Sequence, residues 1–176
     1  GFGVPGSYHD QPWESHARTL EVMVTAVAAL THGVLPGMRE RGWGRIVNVA
    51  SVAGLLPGSA GHTQYEAVKA WLIRFSESLA FENTGSGVNV CALCPGFTYS
   101  EFHDVTGTRE QVSRFPGFMW WQPGDVVAEG IAAVEAGRPV HVNGRVYRAI
   151  AWLFNTLPRP LAWALIRRQA HKFRRT

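Results

Sequence analysis

The stretch running from Gly44-Arg-Ile-Val-Asn-Val-Ala-Ser51 to Gln64-Tyr-Glu-Ala-Val-Lys69 decides how this chain folds. Its first half is short, β-branched and apolar, and it predicts a buried strand over 45–50 that delivers Ser51 at its end. Its second half opens a helix from Thr63 to Glu82, apolar at Ala67, Trp71, Leu72, Phe75, Leu79 and Ala80. Tyr65 and Lys69 stand four residues apart and therefore share one helix face. An ammonium beside a phenol favours the phenolate and draws its pKa down from about 10. Tyr65 is thus a candidate acid/base. Ser51, fourteen residues earlier, is a candidate hydrogen-bond donor to the same substrate oxygen. The Tyr–Lys spacing alone describes many exposed helix pairs. The order of parts gives it weight: strand, serine, glycine-containing loop, helix, strand, then Pro95-Gly96.

Outward from this centre, 14–30 carries apolar residues at helical spacing (Leu20, Met23, Val24, Val27, Leu30). Gly33, Pro36 and Gly37 are expected to weaken that helix, and 39–44 to end it. A second strand is expected over 88–93, stopped by Pro95. Cys91 and Cys94 form a CxxC spacing inside it, but residues three apart on a strand point to opposite faces. Neither a zinc site nor a redox pair follows from them. The segment 97–122 lacks periodicity and is dense in aromatics, a costly composition to leave in water. Pro123-Gly-Asp125 reads as the start of a helix over 126–136, and 138–142 as a short last strand. His103 and Asp104 complete no metal-ligand set. No uncharged apolar run reaches about 18 residues, so no transmembrane span is expected.

The chain has 176 residues, 46% of them hydrophobic, enough for one sizeable core. Two cysteines exclude a disulfide-stapled scaffold. With no signal sequence at its start, a cytoplasmic, reducing setting is the expectation. The net charge of +4 conceals an asymmetry. No acidic residue follows Glu135, whereas nine Lys and Arg do, so 1–135 is net acidic and the remainder strongly basic. In 144–176 these cations interleave with Trp152, Leu153, Phe154, Leu161, Trp163 and Leu165. Two readings stand: an amphipathic helix on an anionic membrane surface, or a terminal helix pair beside the substrate cleft with a solvated basic end. The basic residues form no nucleic-acid reading module.

The order of segments resembles the short-chain dehydrogenase/reductase family over nearly the whole chain. Gly1-Phe-Gly3 is similar to the tail of that family's Asn-Asn-Ala-Gly segment, and 44–51 to its approach to the active-site serine. Tyr65 and Lys69 match the catalytic pair. Cys94-Pro-Gly-Phe-Thr-Tyr-Ser100 matches the Pro-Gly segment that closes over the nicotinamide. Two departures stand out. Met23 occupies the place of the family's usual catalytic Asn, and a thioether cannot donate a hydrogen bond. The serine–tyrosine spacing is also one residue longer than the most common one, with the extra residue in the loop 57–62. A dinucleotide fold also needs a first strand followed by glycines at a helix N-terminus. No such segment occurs here, so the resemblance implies that this is the C-terminal part of a larger subunit.

The resemblance then implies an α/β fold, the C-terminal part of a Rossmann-like doubly wound parallel sheet with flanking helices. It divides into a Rossmann portion, 1–143, and a basic helical extension, 144–176. It implies an NAD(P)-dependent oxidoreductase interconverting a carbonyl and an alcohol. Ser51, Tyr65 and Lys69 would be catalytic; Tyr65, Lys69, Pro95, Gly96, Thr98 and Ser100 would hold NAD or NADP; no metal takes part. As turn residues, Thr98 and Ser100 would need no such role. The segment 97–122 would be the substrate lid, and helices near 14–41 and 63–83 would pair two copies. The aromatic composition points to an apolar substrate. The alternative is a truncated or inactive relative that binds partners or a membrane surface.

Overall fold

The computed structural model describes residues 1–102 and 112–173. Three parallel strands, β1 (Gly44–Val49), β2 (Val88–Cys94) and β3 (Val140–Val142), form a sheet in that order. Gly44 pairs with Val88 and Val49 with Leu93; Ala92 pairs with Val140. Parallel neighbours need crossovers. The chain supplies α2 (Thr63–Glu82) between β1 and β2, and α3 (Pro123–Glu135) between β2 and β3. Ahead of β1 runs a long helix, α1, covering Trp13–Glu40. After β3 come α4 (Arg145–Thr156) and α5 (Arg159–Phe173).

Strand alternation distributes side chains to two helical layers. Ala50, Ala92 and Cys94 join Leu72 and Ile73 of α2, while Val47 and Cys91 join Ala133 and Val134 of α3. The two cysteines therefore lie in different cores, as period two requires, and both are free. One buried polar link crosses the first layer: the Asn48 amide donates to Ser76 Oγ at 2.9 Å, and Ser76 donates to the Leu72 carbonyl. It fixes α2 lengthwise on β1. The outer edge of β1 pairs with no strand among the described residues.

The first helix runs through Gly33 and Pro36 and ends at Glu40, inside the expected 39–44. An interior proline costs about 3 kcal/mol relative to alanine, and the helix holds its course here while packed on β1. Against the expectation of no such span, the whole helix is long and apolar enough to cross a membrane by length and composition. It packs against β1 and α2. The last strand is also shorter than expected, because Pro139 has no N–H to offer a ladder.

Candidate active site

Ser51 sits just past β1, held on both sides by backbone bonds. The Ala50 N–H donates to the Leu93 carbonyl at 2.7 Å and the Val52 N–H to the Pro95 carbonyl at 3.0 Å. The serine caps a 3-10 turn, Val52–Leu55, its Oγ accepting from the Ala53 N–H at 3.2 Å. This turn lies directly on α2. A Cβ at Gly54 would come within 2.6 Å of the Lys69 backbone. Glycine at 54 therefore sets how near Ser51 approaches the helix.

On that helix, Tyr65 and Lys69 face the same space. The Tyr65 phenol is hydrogen-bonded to the Ser51 side chain. Burial raises the Tyr65 pKa above its ordinary value, and the Ser51 bond offsets this only in part. Lys69 is buried; its Nζ donates to the Val49 carbonyl at 2.7 Å and lies 5.6 Å from the Tyr65 ring centroid. Burial drives the Lys69 pKa down to about 8, slightly opposed by Cys94. The expectation that Lys69 lowers the Tyr65 pKa is thus overturned: desolvation of the phenol dominates, and the ammonium is itself disfavoured. At neutral pH the tyrosine is a protonated group, suited to giving a proton.

The opposite wall begins where β2 ends. Pro95, Gly96, Thr98 and Ser100 line one cavity with Ser51, Tyr65 and Lys69, of about 600 Å³. That size lies within the usual range for small-ligand sites. The Thr98 hydroxyl donates to the Gly96 carbonyl at 3.2 Å, and Ser100 Oγ is 3.5 Å from the Thr98 carbonyl. The remaining lining is largely apolar: Val49, Leu56, Phe97, Phe102, Phe115 and Val126 among others. Described parts of 97–122 fold back on themselves. Thr98 bridges to Trp121, Phe97 stacks on Trp120 at 5.3 Å, and Tyr99 stacks on Trp120 at 5.0 Å. His103 and Asp104, set aside as metal ligands, lie outside the described residues.

Three contributors escaped the sequence reading. Tyr147, on the first turn of α4, is buried; its hydroxyl accepts from the Phe97 N–H at 3.0 Å and donates to the Met119 carbonyl at 2.8 Å. Its ring lies so close to Gly96 that a Cβ there would overlap it. This one side chain fastens both ends of the aromatic wall to the C-terminal helices. A tyrosine three residues after Asn143-Gly144 was the available signal, but its partner is fifty residues away. His16 is the second: its Nδ1 lies 2.7 Å from Gln64 Oε1, and Gln64 donates to the His16 carbonyl at 3.1 Å. The pair pins the start of α2 beside Tyr65. Glu66 is the third, and its carboxylate accepts from the Ser59 N–H and hydroxyl, both at 2.6 Å. The loop holding the extra residue is thereby tied to α2. Met23 is buried in a π-helical segment, Glu21–Thr25, that packs on α2. Such segments interrupt α-helices as single turns, frequently at functional sites.

Comparison with known proteins identifies the family. A family model described as short chain dehydrogenase matches residues 1–111. Nodulation protein G of Azospirillum brasilense is 35% identical over 128 residues, covering 71% of this chain and 46% of that protein. The 3-oxoacyl-[acyl-carrier-protein] reductase FabG of Vibrio cholerae is 32% identical over 143 residues, covering 76% of this chain and 58% of the reductase. Among solved structures, a short-chain dehydrogenase from Sphingobium yanoikuyae in complex with NADPH superposes with a TM-score of 0.73 at 25% identity. It covers 90% of this chain and 63% of that one. The chain thus spans about half the length of the curated relatives it matches.

Proposed function

We propose a reaction from one premise: this chain belongs to the short-chain dehydrogenase family. The whole protein is an NAD(P)-dependent oxidoreductase that interconverts a carbonyl and an alcohol on an apolar substrate. The observation carrying this reading is the convergence of Ser51, Tyr65 and Lys69 with Pro95, Gly96 and Thr98 on one cavity. The cofactor fits the donor set: a buried ammonium, two hydroxyls at Thr98 and Ser100, and the backbone of the Pro-Gly turn. A nicotinamide cofactor, when bound, supplies or takes the hydride. Tyr65 gives the proton to the substrate oxygen during reduction, and its raised pKa keeps that proton in hand at neutral pH. Ser51 donates to the same oxygen as negative charge develops there. Lys69, buried in the cavity wall, holds the ribose end of the cofactor.

The apolar lining favours a hydrocarbon-bearing carbonyl compound, and the likeness to a 3-oxoacyl reductase agrees with an acyl chain. The test is reduction of carbonyl compounds of increasing chain length by the full-length protein. Specificity should climb with each methylene; a flat series removes the apolar substrate while leaving the reaction class intact. Pairing of two copies through α1 and α2 is part of the same proposal. It is supported by the outward apolar faces at Leu30, Val34 and Phe81, which are 70%, 47% and 68% exposed. A second reading, a truncated or inactive relative acting as a partner- or membrane-surface-binding module, is favoured by Met23 at the place of the family's usual Asn. Absence of any carbonyl reduction by the full-length protein with either cofactor would select it.

A further inference from the structure

We propose that α4 and α5 form a docking surface for an anionic lipid bilayer. The inner face of α4 belongs to the site already described: Tyr147 and Ala151 are buried, and Tyr147 lines the cavity. Its outer face is different. Trp152 is 68% exposed and Leu153 44%. On α5, Ala162 alone is deeply buried among the described side chains, while Trp163 and Leu165 stand in solvent. Arg148 and Arg159 are exposed on these helices, as is Arg167. Large apolar side chains left in solvent beside these cations mark a contact that the isolated fold leaves unmade.

Charge identifies the occupant. From Ala136 to Thr176 the sequence carries nine Lys and Arg and no Asp or Glu. A second copy presenting the same surface would bring cation against cation, which opposes self-pairing. Nucleic acid would satisfy the cations and leave the indoles and leucines wet. A bilayer with anionic headgroups satisfies both. Tryptophan rings favour the headgroup boundary, and each nearby cation adds electrostatic attraction that salt screens. The arrangement also brings the helix that walls the apolar cavity to the place where lipid-like compounds reside. That consequence rests on the proposed substrate class; the docking itself does not.

The experiment reads binding and is independent of turnover. The full chain is floated with phosphatidylcholine vesicles, with and without phosphatidylserine at about one third of the lipid. The expected result is recovery with the anionic vesicles only, a blue shift of tryptophan emission, and release by high salt. Arg159→Glu with Arg167→Glu should weaken partitioning roughly tenfold or more. Trp152→Ser with Trp163→Ser should do the same. All four positions are exposed, and unchanged circular dichroism verifies the fold. No recovery with either vesicle, equal recovery with both, or a self-associated species broken by the tryptophan changes without lipid binding would overturn the proposal. So would capture by duplex DNA in preference to the anionic vesicles.

Discussion

Two tyrosines reach the same cavity from different helices, and their surroundings separate a reacting group from a fastening one. Tyr147 on α4 has its hydroxyl between the Phe97 N–H and the Met119 carbonyl. Both partners are backbone groups, fixed by the chain, and both capacities of the hydroxyl are used. Tyr65 on α2 is bonded to Ser51, a rotatable hydroxyl that can exchange partners when a substrate oxygen arrives. Burial raises the pKa of both phenols, so acidity alone does not distinguish them. The identity of the partner atoms does. A tyrosine bound to backbone holds structure, and one bound to another side chain remains available for chemistry.

The sharpest way to break this comparison is Tyr65→Phe in the full-length protein. Turnover should fall by about 10²–10⁴ with cofactor affinity retained, as steady-state rates and cofactor titration would report. Equal losses for Tyr147→Phe would erase the distinction. Next comes Gly54→Ala, whose new methyl has no room against the Lys69 backbone. The turn bearing Ser51 must shift, and a displacement of about 1 Å can cost about 10² in rate. A crystal structure of the variant with an unmoved Ser51 would contradict the account.

Lys69→Met addresses the charge between the two walls. The Lys69 pKa is about 8 in the fold against 10.5 when free, so the unfolded chain binds more protons between those values. Stability from this group therefore rises as pH increases from 8 to 10.5, by roughly 3 kcal/mol in total. Tyr65, Cys91 and Cys94, all raised by burial, contribute the opposite slope from about pH 9 upward. The lysine's share is the difference between wild type and Lys69→Met in denaturant melts across that window; parallel curves would refute it. The smallest effect belongs to Tyr147→Phe. Two backbone groups lose their partner, costing about 1–3 kcal/mol. The Phe97 amide should exchange faster with solvent while turnover drops only a few-fold.

Much of this was legible in the sequence because it obeys local rules. The run Thr63–Glu82 is helical throughout, since no breaker interrupts its apolar spacing. Cys91 and Cys94 divide between two cores as strand alternation demands. Ser51, Tyr65 and Lys69 come together because parallel strands joined by a helix leave few other arrangements. What stayed hidden depends on contacts distant in sequence. The Tyr147 hydroxyl meets residues 28 and 50 positions away. The Tyr65 pKa follows from burial, which spacing does not encode.

The π-helical segment Glu21–Thr25 has a mechanical consequence. A π-turn fits one more residue into a turn than an α-turn does, so it takes up an extra residue while the helix on either side keeps nearly the same phase. Deleting one residue between 21 and 25 would let the turns close regularly and leave Trp13–Leu20 close to its present orientation. His16 would still face Gln64, and the entry to α2 would keep its anchor. A single missing codon here would spare the position of the phenol and change only the packing around Met23.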